Sequence, residues 1–351
     1  LVGRRRIQRS SRRINLMKES LRTFMNGLID YAGLFPPANL PLDEAIDDYI
    51  IHLKGENSWM LGRFIIPVAK LNELDSLLPL FDEIGPLGLT VLGSGGKSND
   101  EYLSKVSEDI AKINDYRSKH GGKVEIEVYE CKLPSNSPSR KIMEKATNLL
   151  NDNGLSHYHE FHELPEVGIN YSTNEDESSW DAEIPPVVSM ISELKGAGIK
   201  LRCGGIVKEA FPSVEQVAAM IQTCALIGIP MKCTAGLHHP IRHFAEEYDA
   251  FMHGFINIFG AGVFTSNFPD PQNSQEKYRM FIMLSHLISE QRSDNFDFGN
   301  GEMVWKVGDE RGTIFEFSNE NIANCRKKGI ISYGSCSFQE PINDLKQLGW
   351  M

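Results

Sequence analysis

From Gly27 onward, short apolar runs alternate with longer stretches whose apolar residues recur at helical spacing. The runs 28–33, 63–68, 87–93, 124–130, 157–164, 200–206 and 231–237 read as strands, and 42–53, 71–81, 99–120, 138–151, 184–196 and 214–227 as the helices between them. Pro41 suits a first helical turn, Ser213 an N-cap, and Gly154 and Gly198 follow helix ends. Strand–helix alternation implies parallel strands with crossover helices. Seven such units in series predict an α/β protein with a (β/α)8 TIM-like barrel, although a doubly wound sheet shares the alternation. The eighth unit is irregular. Residues 253–262 read as a strand or the start of a helix, 273–291 as a helix, and the Gly- and Asn-rich 293–312 as a loop. The tail 314–351 reads as two short helices around 334–338, with Ser337 and Glu340 spaced as at a helix start. The expected division is a basic segment 1–16, a barrel 17–265, and C-terminal helices and loops 266–351 packing on the barrel.

Period two sorts each strand into two faces. Helices cover the outside of a barrel, so the apolar face points out and the polar face in. That places Val124, Ile126 and Val128 outward and Glu125, Glu127 and Tyr129 inward. It places Leu28, Asp30 and Ala32 inward from the first strand, Lys200, Arg202 and Gly204 from the sixth, and Lys232, Thr234 and Gly236 from the seventh. With Phe161 outward, Tyr158, Glu160 and His162 face in. The converging set is Asp30, Glu127, Glu160, His162, Arg202, Lys232 and Thr234. Barrel interiors are normally filled by branched apolar residues, and a buried charge costs several kcal/mol unless paired. Such a set reads as an active site or as an internal ion-pair network.

Gly204–Gly205 and Gly236 end strands where backbone N–H groups can hold an anion, or simply make tight turns. The segment 93–98 (GSGGKS) approaches a P-loop, but Val91 stands where the first glycine belongs, so it reads as a flexible loop. His238 and His239 follow the seventh strand, with His243 four residues past His239. They suit proton transfer or, with Glu160 or His162, a metal. Cys336, with no base assigned to it, reads as packing.

Lys and Arg number 36 against 47 Asp and Glu, a net charge of −11 that argues against a nucleic-acid binder. No run reaches the roughly 18 apolar residues of a membrane span. Six cysteines without a CxxC pair fit neither a disulfide scaffold nor a Cys-based zinc site, and point to a reducing compartment, the cytoplasm. Residues 1–16 hold six arginines and no acid. They read as sequence upstream of a start at Met17 or as an organelle-import leader.

The segments DYAGLFPPA (Asp30 to Ala38), LRCGG (Leu201 to Gly205), KCTAGLHHP (Lys232 to Pro240) and SCSFQEP (Ser335 to Pro341) resemble a TIM-barrel-like family of uncharacterised activity, over nearly the whole chain from Met17. That resemblance implies the barrel and no reaction. KCTAG, from Lys232, is also similar to the strand of deoxyribose-phosphate aldolases that carries a Schiff-base lysine. KLRCGGI, from Lys200, is similar to their phosphate-binding strand, with the two pieces in reversed order here.

The expectation is a barrel enzyme, a carbon–carbon lyase or isomerase, acting on a small anionic carbonyl metabolite. Arg202 and the amides of Gly204, Gly205 and Gly236 hold the anion, with Thr234 and Asp30 beside the substrate. Lys232 serves as nucleophile, through a Schiff base, or as base. Glu160, Glu127 and His238 move protons. The first alternative is a divalent-metal-dependent lyase or hydrolase using Asp30, Glu127, Glu160 and His238 or His239, with His162 a further ligand. The second is a non-catalytic metabolite-binding barrel. A homo-oligomer is open in each case.

Overall fold

The computed structural model describes residues 18–161, 164, 166–170, 179–181, 184–308 and 312–351. The basic segment 1–16 and His162 lie outside the described residues. Eight strands close into a barrel: β1 (Ile29–Tyr31), β2 (Leu61–Pro67), β3 (Leu87–Leu92), β4 (Val124–Lys132), β5 (Ser156–Glu160), β6 (Ala197–Arg202), β7 (Met231–Thr234) and β8 (Ile330–Ser335). All neighbours are parallel and barrel order is chain order, with β8 closing on β1. The chain is an α/β protein with the (β/α)8 TIM-like architecture that the alternation predicts.

The described helices are α1 (Glu19–Met25), α2 (Leu42–Lys54), α3 (Asn99–Lys119), α4 (Arg140–Asp152), α5 (Ile184–Ser192), α6 (Val214–Ile227), α7 (Phe255–Asn267), α8 (Ser274–Ser289), α9 (Asn319–Lys328) and α10 (Gln339–Gln347). Local chemistry sets their ends. Ser98 caps α3 by accepting the Glu101 N–H, and α6 starts in a capping box between Ser213 and Gln216 and stops at Gly228 in the left-handed region. The helix expected at 71–81 is instead two 3-10 turns, Val68–Leu74 and Leu78–Phe81. Pro79 lacks the N–H a continuous α-helix would need there. Residues 208–227 are long and apolar enough to cross a membrane by length and composition alone, yet Val217 to Cys224 of α6 are buried in the protein core.

The C-terminal third departs most from expectation. Residues 253–262, read as strand or helix start, run into α7, whose residues 255–265 are all buried. A helix apolar on every face has no stripe to read. The expected loop 293–312 contains strands Phe296–Phe298 and Glu302–Val307, which pair antiparallel with each other, the second also pairing antiparallel with Thr313–Ser318. Their inner face carries Phe296, Phe298, Met303, Trp305 and Phe317 into the core. The closing strand β8 then lies in the tail, between α9 and α10, so the barrel is completed by residues expected only to pack on it. Arg326 of α9 fastens this closure. Its guanidinium donates to the carbonyls of Phe24 (2.9 Å), Ile330 (2.8 Å) and Asn26 (3.2 Å), and also to Ile331. Burial draws its pKa down to about 10.

Candidate active site

A chain of alternating charges runs through the barrel interior. Asp30 on β1 accepts the Arg63 backbone N–H at Oδ1 (2.8 Å) and the Ser332 hydroxyl at Oδ2 (2.7 Å). Its Oδ2 also lies 2.8 Å from the Lys232 ammonium of β7. Lys232 in turn lies 2.6 Å from Glu130 Oε1 of β4 and over the Tyr158 ring. Glu130 Oε2 is 2.8 Å from Lys200 of β6, Lys200 is 3.4 Å from Glu160 Oε2 of β5, and Glu160 Oε1 is 3.9 Å from Arg202 at the end of β6. Three acids and three cations thus alternate. The first five groups are buried, and only the Arg202 side chain is substantially exposed, at 46%.

The electrostatics follow from this pairing. Burial alone would raise the Glu130 carboxyl, but Lys200 and Lys232 outweigh it and push its pKa down to about 2. Burial also opposes the charge on both lysines, yet their carboxylate partners win and raise each above the ordinary value. Lys232, expected to serve as nucleophile or base, is therefore held charged between Asp30 and Glu130. It sits beneath the cavity without lining it. That is a poor position for a Schiff-base nucleophile, which must be neutral and reach a carbonyl.

The cavity, about 640 Å³, opens over the carboxyl ends of the strands. Glu130, Glu160 and Lys200 line it at the buried end of the charge chain; Arg202, Lys132 and the 93–97 loop also face it. Glu160 Oε1 has no hydrogen-bond donor among the described residues although it is buried. Thr234, Gly205 and Gly236 line the space; Gly204 and Asp30 do not. Gly204 serves packing instead, because a Cβ there would come within 2.9 Å of Gly236 Cα and 2.7 Å of the Phe211 ring. Gly205 leaves room first for Ala210, whose Cβ would lie 2.6 Å from a Cβ at this position, and then for the guanidinium of Arg202, whose Nη2 would lie at 3.3 Å. Ala235, at φ 58°, turns the chain after β7 in a conformation costly for a side-chain-bearing residue.

Glu127 is misplaced by the sequence reading. Ile126 pairs with Leu89 but Val128 with Thr90, so β4 carries one extra residue at Glu127. The bulge reverses the alternation. Tyr129 turns outward, where its hydroxyl donates to Asp109 of α3, and Glu130 turns in to take the place expected of Glu127. Glu127 is 61% exposed and pairs with Arg63 at 2.6 Å. Glu130 is thus the interior acid that period two missed. Lys200 is recognised as inward by the same sorting, but its importance appears only once Glu130 and Glu160 are seen beside it.

The histidines divide. His238 lines the cavity; its Nδ1 lies 2.9 Å from Glu340 and its Nε2 3.9 Å from the Cys336 sulfur. His239 pairs with Asp344 at 2.6 Å and stacks edge-on with His243, away from the cavity lining. The acids of the metal alternative are taken up separately: Asp30 by Lys232, Glu127 by Arg63 and Glu160 by Lys200. Among the described residues no three His, Cys, Asp or Glu side chains are grouped to hold a metal ion, and His162 lies outside those residues. No protein-family model matches this chain and no curated protein matches it, so its function is read from the chemistry of this cavity.

Proposed function

We propose that this protein is a barrel enzyme, a carbon–carbon lyase or isomerase, that acts on a small anionic carbonyl compound. The observation that supports this best is the buried Glu160 Oε1, which accepts no hydrogen bond among the described residues and has only the Arg202 guanidinium at 3.9 Å, in a residue lining the cavity, while the other oxygen of the same carboxylate is 3.4 Å from the Lys200 ammonium. Glu160 is the base that takes a proton from the carbon next to the carbonyl. Lys200 stays charged and steadies the negative oxygen of the resulting enolate, a role that needs a fixed cation rather than a neutral amine. Arg202, half-exposed at the mouth, binds the carboxylate or phosphate. Lys232 and Asp30 act from below by keeping Glu130 ionised and Lys200 in place. Both lysines contribute electrostatically, and no covalent imine is required.

The test is proton exchange in deuterated water, followed by NMR with pyruvate, oxaloacetate and dihydroxyacetone phosphate. Exchange at the carbon beside the carbonyl, lost in Glu160→Gln and Lys200→Met, is the expected result. Binding of these compounds without exchange would make the barrel a metabolite-binding protein instead. Borohydride treatment with the same compounds is expected to leave Lys200 and Lys232 unmodified.

A further inference from the structure

The ends of β7 and β8 bring a second set of reactive side chains to the same cavity. Cys336 follows β8, His238 follows β7, and both line the space. The Cys336 sulfur lies 3.9 Å from His238 Nε2, and His238 Nδ1 lies 2.9 Å from Glu340 Oε2 in the first turn of α10. One short loop sets thiol and carboxylate relative to each other. Ser335 Oγ donates to the Ser337 carbonyl at 2.7 Å, and Ser337 Oγ accepts the Glu340 N–H at 3.2 Å. We propose that Cys336, His238 and Glu340 form a nucleophilic triad of thiol, base and orienting carboxylate, whose target is the carbonyl carbon of the anionic ligand. The identity of the target rests on the function proposed above; the triad itself does not.

A nucleophile within reach of a base that a third group orients is the general arrangement for covalent catalysis. Here burial works against charge on His238, but the Cys336 sulfur and the Glu340 carboxylate outweigh it and push its pKa up to about 10. An imidazolium beside the sulfur favours the thiolate. The other groups facing this cluster are Tyr31 of β1, which donates to Asp48 of α2, Tyr248, and His239 with its partner Asp344. Cys131 provides the contrast within the same cavity. It lies 3.7 Å from His159, but burial pushes its thiol up to about 12 and holds His159 well below its ordinary pKa. In the proposed step the Cys336 sulfur bonds to the carbonyl carbon as the C=O π bond breaks. The oxygen receives the electron pair and the proton that His238 has taken from the thiol. The product is a thiohemiacetal, with no change of oxidation state.

The experiment is alkylation of the intact protein with iodoacetamide across pH, read by peptide mass mapping. Cys336 is expected to react at least about 10-fold faster at pH 7 than any other cysteine. His238→Gln should slow it about 10-fold or more at pH 7 and change its dependence on pH. Glu340→Gln, at an exposed helix start, should slow it by about 2- to 5-fold. Labelling of Cys336 no faster than Cys131, or a pH profile unmoved in both variants, would overturn the triad. Iodoacetate separates the two readings: it should outpace iodoacetamide, and lose that preference in Arg202→Ala, only if the cavity grips anions. Carbon-13-labelled glyoxylate should give a thiohemiacetal resonance that Cys336→Ser removes. No such resonance, with alkylation still dependent on His238, would overturn the carbonyl target and leave the triad standing, whereas the function proposed above fails separately, on absent proton exchange.

Discussion

The carboxylate of Asp30 occupies the space that a Cβ on Gly62 would fill. β2 shifts register against β1 between Ile29 and Tyr31, and the next residue on β2, Arg63, donates its N–H to the same carboxylate oxygen. A glycine and a strand irregularity therefore hold the acid that anchors the charge chain. Gly62→Ala is expected to destabilise the protein by about 1–3 kcal/mol, the range for overpacking a filled interior. Gly88→Ala is the control, because its Cβ would meet only the Arg63 Cγ at an ordinary 3.7 Å. Urea denaturation of both variants checks this, and equal midpoints would show that Asp30 can move.

Lys232 neutralises two buried carboxylates at once. Lys232→Met leaves Asp30 without a cation and Glu130 with Lys200 alone, at an expected cost of about 3–5 kcal/mol. The triple variant Lys232→Met, Asp30→Asn, Glu130→Gln removes the stranded charges and should recover part of that loss. A triple variant no more stable than the single one would show that Lys232 stabilises through packing against Tyr158 rather than through its charge.

Stability against pH should show two separate windows. Glu130 has its folded pKa pushed down to about 2 from an ordinary 4.5, so its contribution is full above 4.5 and is lost as pH falls toward 2. His253 is held neutral, at a pKa of about 4 rather than 6.5, first by burial and then by Arg242. Its ring is placed to donate to the Pro212 carbonyl at 2.8 Å and accept from Arg242 at 3.1 Å. Below 6.5 the unfolded chain takes up a proton that the folded one refuses, so stability falls between 6.5 and 4. His157 and His159, also held below 6.5 by burial, share the upper window, so His253→Gln should make it shallower without removing it, and Glu130→Gln should do the same to the lower one, as read from thermal melts at stepped pH.

The barrel was legible because seven strands repeat one pattern, and the charged interior was legible because Asp30, Glu160, Arg202 and Lys232 break that pattern on inward positions. What was not legible traces to particular residues. The alternation of Val124 to Cys131 changes phase where Val128 and Tyr129 stand side by side and Glu130 follows, but one period carried straight through from Val124 leaves Tyr129 inward and Glu130 outward, the reverse of what the extra residue at Glu127 produces. The closing strand β8 carries Ser332, Gly334 and Ser335 among its six residues and lies roughly a hundred residues after β7, too polar and too remote to read as the eighth barrel strand. The pairing of Cys336 with His238 joins residues 98 apart, and only the closure of β8 beside β7 brings them together.

Arg202 and Glu160 should respond in opposite directions to a bound anion. The two groups are 3.9 Å apart, with Arg202 half in solvent and Glu160 buried. An anion at the mouth gains from the guanidinium and is repelled by the carboxylate behind it. Arg202→Ala is expected to weaken oxalate binding about 10-fold, or about 1.4 kcal/mol, less than a fully desolvated contact would cost because water already screens this side chain. Arg202→Lys keeps the charge but loses the fork that meets both carboxylate oxygens, so it should fall between the two. Glu160→Gln removes the repulsion and should tighten oxalate binding while abolishing proton exchange on carbonyl ligands. Calorimetric titration of the three variants, beside the exchange assay, checks the set. Glu160→Gln with weaker binding and intact exchange would assign the carboxylate to holding Lys200 in place and leave the reaction without its base.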